Sequence, residues 1–206
     1  MNPWGRVAIL VGGLVLWFVS QKWIASKAIA SGDGMGDRVH EWTSGWNESL
    51  HRNPRLANAL LISSSLGIDL ATGFIFYRAV FSSDLRVLVS VLVLFMLRQV
   101  AQGLTALPPP SGLIWRHPGF PSLLVTYGVA NDLFFSGHTA LAVLAALELS
   151  TLGTPLAIGA GIFLVIFEVL AVLALRAHWT MDVLAGAFAA MMIHFGGIHF
   201  FGGVLP

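Results

Sequence analysis

Asn131-Asp-Leu-Phe-Phe-Ser-Gly-His-Thr139 and Arg176-Ala-His-Trp-Thr-Met-Asp182 are two short polar insertions in a chain that is otherwise apolar. Each stands where an apolar run of helical length begins. Ionisable side chains at the start of a membrane helix are costly and are functional candidates by default. Read together, the two insertions predict one active site formed by His138, His178 and Asp182. The remaining sequence is then the helical frame that holds that site in a bilayer.

The composition agrees. Of 206 residues, 56% are hydrophobic and only 10% are charged, with a mean hydropathy of +0.80. Soluble domains carry about 25% charged residues, so this chain lacks the polar surface to face water on all sides. An all-α, polytopic membrane protein is the fold class that follows. The 11 basic and 10 acidic residues leave a net charge of +1, and the basic ones are scattered, which removes any case for a nucleic-acid partner. With no cysteine, disulfides, thiolate metal sites and thiol catalysis are excluded.

Six apolar runs predict six transmembrane helices at about 7–23, 56–80, 85–107, 136–152, 155–175 and 179–195, forming a single membrane domain over 1–206. The first run is flanked by Trp4 and Trp23, as in the interfacial belts of a retained helix, although Arg6 and Ala25-Ser26-Lys27-Ala28 also fit a signal peptide. Segment 26–55 is the one extended polar stretch. There Trp42, Trp46 and Leu50 recur every four residues, predicting a short helix at the interface that partly covers the mouth of the bundle, or else an ordered surface turn. Asn53 and Pro54 mark a helix start, and Pro108-Pro109-Pro110 ends the third helix. Six crossings place Arg98, the proline-rich loop, His138, His178 and Asp182 on one side of the membrane.

His178 and Asp182 are four residues apart and share a helix face. The expectation is that the carboxylate takes the proton of one ring nitrogen and leaves the other to attack phosphorus. His138, arriving from another helix, would protonate the leaving oxygen. Ser136, Gly137 and Thr139 supply a helix start, a glycine and hydroxyls suited to a phosphate. Arg98 is the expected charge clamp on the phosphoryl oxygens, with Arg176 assisting.

Leu133-Phe-Phe-Ser-Gly-His-Thr139, with Asp132 ahead of it, resembles the third signature of the sphingomyelin synthase family, and His178-Trp-Thr-Met-Asp182 resembles the fourth. Arg98, followed by Thr105-Ala-Leu-Pro-Pro-Pro110, is similar to the second. The resemblance covers about 95–190. It implies a bacterial sphingomyelin synthase-like enzyme with a type-2 phosphatidic acid phosphatase-like core and no metal or other cofactor. His178 would be the nucleophile, Asp182 its orienting partner and His138 the acid/base group. A membrane phospholipid donor and a lipid alcohol acceptor are the implied partners, with Asp132 a headgroup or supporting carboxylate. The reaction expected is transfer of a phosphocholine- or phosphoethanolamine-type group to ceramide or diacylglycerol through a phosphohistidine. Val172 stands where the phosphatase branch has an arginine, and Ala130 and Asn131 stand near where the synthases carry a cysteine.

Lipid phosphate phosphatase or phospholipase C-like hydrolysis is the alternative reaction. A non-catalytic transporter or structural protein is the alternative class, against which the intact His138, His178 and Asp182 argue. Glu168 is expected to face the bundle and pair with a polar group, Glu148 to be interfacial, and His194 with His199 not to bind metal. The resemblance implies an inner-membrane location with the site on the non-cytoplasmic face, whereas Lys27, Arg38, Arg52 and Arg55 on the site's side favour the cytoplasm by the positive-inside rule.

Overall fold

The computed structural model describes residues 1–26, 36–125, 127 and 133–201. Among them are eight helices and no strand: α1 (Pro3–Ala25), α2 (Arg38–Trp42), α3 (Ser44–Arg52), α4 (Pro54–Phe81), α5 (Arg86–Leu104), α6 (Gly137–Ser150), α7 (Pro155–Ala174) and α8 (Thr180–Phe201). Three long helices start by one local rule. Asn2, Asn53 and Thr154 each accept a backbone N–H from the first turn, and a proline follows each cap, where its missing N–H costs nothing.

Five helices, α1, α4, α5, α7 and α8, are long and apolar enough to cross a membrane. Large apolar side chains such as Leu16, Leu70, Phe163 and Phe188 are exposed on their outer faces, as lipid contact requires. The protein is therefore an all-α, multi-pass membrane protein. The sixth predicted span is shorter than expected. Helix α6 has 14 residues, about 21 Å at the usual rise, and falls short of a ~30 Å hydrocarbon core. It ends early because Thr151 and Leu152 form a turn closed by Gly153 at a φ of +68°. Its place is the centre of the bundle, packed against α4, α7 and α8, with every side chain from His138 to Ala145 buried.

The site lies at one end of this bundle. Ser136 N–H donates to the Asp182 carbonyl (3.0 Å), Ile114 N–H to Leu175 (2.8 Å), and Arg98 Nε to Phe135 (3.2 Å). These bonds draw together the starts of α6 and α8, the end of α5 and the proline-rich loop. The interfacial segment corrects one expectation. It forms two short helices broken at Thr43, which sets Trp42 apart from Trp46 and Leu50; these two are four residues apart in α3 and line one apolar groove. Leu50 packs inward with His40 and Asn47, while Trp42 and Trp46 are 80% and 55% exposed and do not roof the cavity.

At the far end, Arg6 donates to the carbonyls of Ser82 (2.7 Å) and Asp84 (2.8 Å), satisfying the turn that ends α4. Glu148 is fully buried, not interfacial as expected. Both terminal nitrogens of Arg86 hold it, with His194 Nδ1 at 3.1 Å and Arg78 at 3.5 Å, because a carboxylate inside the bundle needs paired charge. His194 is thus part of an ion-pair network. Glu168 does face the bundle, accepting a 2.7 Å bond from Ser64.

Gly161 tests the central packing, since a Cβ there would lie 2.9 Å from the Ala146 backbone, whereas Gly159 has open space. Gly161→Ala is expected to destabilise by about 1–3 kcal/mol, the usual cost of overpacking, and Gly159→Ala is not. Thermal unfolding of both variants in detergent checks this; equal melting would contradict the α6–α7 contact.

Candidate active site

After α7 the chain must reverse direction within a few residues to start α8. It does so through Arg176, whose φ of +57° lies in the left-handed region that costs a non-glycine residue roughly 1–2 kcal/mol. Arg176 N–H bonds Leu173 and Ala177 N–H bonds Val172, closing the helix end. The guanidinium donates to the His40 carbonyl and does not line the cavity. The structure thus places Arg176, expected to assist Arg98 on the phosphate, in the turn, where it ties that turn to α2.

That turn delivers His178. Its Nδ1 lies 2.9 Å from the Leu133 carbonyl. A carbonyl can only accept, so Nδ1 carries the proton and Nε2 keeps the lone pair. The expected acceptor, Asp182, is 3.8 Å from Nδ1. Its Oδ2 accepts the Trp179 N–H (2.9 Å) at the start of α8, and its buried Oδ1 has no hydrogen-bond partner. Asp182 thus supplies negative charge beside His178, while Leu133 sets the tautomer.

His138 enters from the first turn of α6 and lines the same cavity as His178, with Arg98, Gly137, Trp115 and Phe95. Its ring meets Trp115 edge-on at 5.3 Å, and its buried Nε2 has no hydrogen-bond partner. Gly137 matters because a Cβ there would lie 2.9 Å from Arg98 Nε. The deeper wall is apolar, with Trp17, Ile68, Leu94, Leu124 and Leu141.

Ser136 and Thr139 depart from expectation. Ser136 Oγ caps α6 by accepting Thr139 N–H (3.3 Å) and also takes the Thr139 hydroxyl (3.0 Å). Both residues are fully buried and neither lines the cavity, so their hydroxyls build the helix start. Asp132 lies outside the described residues. Sequence reasoning missed Leu133 as an acceptor, since a backbone carbonyl has no sequence signature. It also missed Asp37 and His40, whose only signal was an aspartate opening a short helix.

No group of three or more His, Asp or Glu side chains suited to a metal occurs among the described residues. A family model described as AtPDCT1/2 matches residues 37–196, more than three quarters of the chain. The chain belongs to the AtPDCT1/2 family. AtPDCT1/2 is a phosphocholine-headgroup phosphotransferase acting on diacylglycerol, and membership makes this chain a membrane phosphotransferase of phospholipid headgroups. No curated protein and no solved structure matches it. The motifs that resemble sphingomyelin synthase fall inside the AtPDCT1/2 match, which supports headgroup transfer and not sphingomyelin synthesis in particular. The match begins at Asp37, so it takes in α2 and leaves out α1.

Asp182→Asn keeps an acceptor for the Trp179 N–H but removes the charge beside His178. It is expected to fold normally and to lower kcat on the order of 10²-fold, as losing one electrostatic stabiliser does. Near-normal turnover in a well-folded variant would rule that role out.

Proposed function

We propose that the chain moves phosphocholine from phosphatidylcholine to diacylglycerol by a two-step exchange at His178. His178 Nε2 attacks phosphorus, and the bond from phosphorus to the diacylglycerol oxygen breaks. His138, which holds a proton beside the anionic donor phosphate, gives it to that oxygen. The product diacylglycerol leaves, and phosphocholine stays on Nε2. The charge gained by the imidazole ring is balanced by Asp182, and its Nδ1–H stays on the Leu133 carbonyl. A second diacylglycerol then reverses the steps. Its hydroxyl proton passes to His138, its oxygen bonds to phosphorus, and the N–P bond breaks. Arg98 clamps the non-bridging oxygens throughout.

One observation carries this reading: the Leu133 carbonyl at 2.9 Å holds the proton on Nδ1 and so leaves Nε2 as the nucleophilic nitrogen, in a cavity shared with the unpartnered His138 Nε2. The charge complement supports a diester as donor. With Arg176 engaged elsewhere, Arg98 is the one arginine lining the cavity among the described residues, enough for a singly charged phosphate and sparse for a dianion. Val172, where the phosphatase branch carries an arginine, is fully buried among apolar side chains. The apolar wall favours transfer over hydrolysis, because excluding water protects the intermediate.

The test is purified protein in vesicles with headgroup-labelled phosphatidylcholine and diacylglycerol of different acyl length. Label is expected in phosphatidylcholine carrying the new acyl chains, with ceramide and labelled phosphatidylethanolamine run as alternative acceptor and donor. His178→Ala should abolish exchange. Label found only as water-soluble headgroup phosphate at every diacylglycerol concentration would leave the hydrolase reading.

The proposed topology has six crossings, with α6 as the short one and the site on the non-cytoplasmic face of the inner membrane. The resemblance of the His138 and His178 motifs to an externally facing family supports it. Because the chain has no cysteine, Ser44→Cys in the exposed α3 gives a single thiol. An impermeant maleimide added to intact cells is expected to label it; labelling only after lysis would reverse the orientation.

A further inference from the structure

The Arg176–Thr180 turn that presents His178 is held by residues 37–40 at almost every position. Asp37 Oδ2 accepts Thr180 N–H (2.7 Å), and Oδ1 accepts the Thr180 hydroxyl (2.8 Å). The same Oδ1 accepts the N–H groups of Val39 (3.1 Å) and His40 (3.2 Å). One carboxylate thus caps α2 locally and α8 from 143 residues away. His40 Nε2 lies 3.0 Å from the His178 carbonyl, so it is the donor. The His40 ring stacks on Trp179 at 5.5 Å and 26°, and its own carbonyl takes the Arg176 guanidinium.

We propose that Asp37 and His40 are positioning residues for headgroup transfer, fixing the backbone of the nucleophile from outside the cavity. The Leu133 bond fixes which way the His178 ring faces. It does not fix how far the ring reaches, because that depends on where the His178 backbone sits. The His40 bond to the His178 carbonyl and the Asp37 bonds to Thr180 set that depth. Neither Asp37 nor His40 lines the cavity. Their own states suit the task. Burial lowers the basicity of His40, against the pull of Asp37, and favours the neutral ring. Burial acts to raise the Asp37 carboxyl, but the bonds from Thr180 and His40 hold it below the usual carboxylate range.

The inference rests on His178 being the nucleophile, and the experiment separates the two. Exchange of labelled phosphatidylcholine is measured for His40→Met, which fills space without a donor; for His40→Gln, whose amide can donate to the same carbonyl; and for His178→Ala. Melting in detergent is recorded for each. His40→Met is expected to lose on the order of tenfold to a hundredfold in kcat, since small misplacements of a reacting group cost that much. Its donor KM should stay within about twofold, as uniform binding is unaffected. The kcat–pH profile should keep its limbs and lose only height, because no titrating group of the reaction has been removed. His40→Gln should recover most of the loss at a melting temperature like that of His40→Met. Full activity of His40→Met, a loss confined to KM, or no rescue by His40→Gln would overturn the positioning role. Exchange surviving in His178→Ala would instead overturn the nucleophile assignment, and the positioning role with it.

Discussion

A backbone carbonyl accepts hydrogen bonds and never donates one, and the chemistry of this site depends on that asymmetry. Leu133 points its oxygen at His178 Nδ1, so the tautomer is set by a group that cannot itself titrate. The peptide is held there by its neighbours. Ser136 N–H is anchored on the Asp182 carbonyl, and Phe135 accepts from Arg98. Both histidine-bearing insertions are therefore cross-braced, each supplying a backbone atom that fixes the other. Asp182 contributes three times over, through its backbone oxygen, its bond to Trp179 N–H and its charge.

The same demand for satisfied polar groups organises the other end of the bundle. In a bilayer an unpaired carboxylate costs several kcal/mol, and Glu148 has polar and charged partners around it from three helices. These ties join the ends of α4, α6 and α8 to the start of α5, so the short central helix is pinned at both ends.

Much of the frame was legible because helix boundaries are written locally. Asn53-Pro54 marked the start of α4 closely, while α5 ends at Leu104, before the triple proline that was expected to stop it. His138, His178 and Asp182 stood out because such residues are rare in apolar runs, and the structure brings them to one end of the bundle. What sequence alone did not place depended on the third dimension. A cap and a ligand contact use the same hydroxyl, so Ser136 and Thr139 read as phosphate donors until their mutual bond was seen. Arg176 read as a clamp because sequence does not reveal a left-handed φ. Trp42 read as one stripe with Trp46 and Leu50 because nothing in the pattern showed the break at Thr43. His40 meets its partner 138 residues away, beyond any local rule.

The brevity of α6 has a consequence for how substrates arrive. A helix of 14 residues leaves about 9 Å of a ~30 Å hydrocarbon layer unspanned. In the proposed six-crossing topology, with the far end of α6 tied through Glu148, that deficit falls on the side of His138, and the phosphate of a donor lipid would sit below the level of its neighbours. The scissile bond lies close to the glycerol backbone, so this depth lets the acyl chains remain among other lipids while the reaction proceeds. On the proposed exchange, both diacylglycerols would come and go sideways through the leaflet without ever leaving it for water.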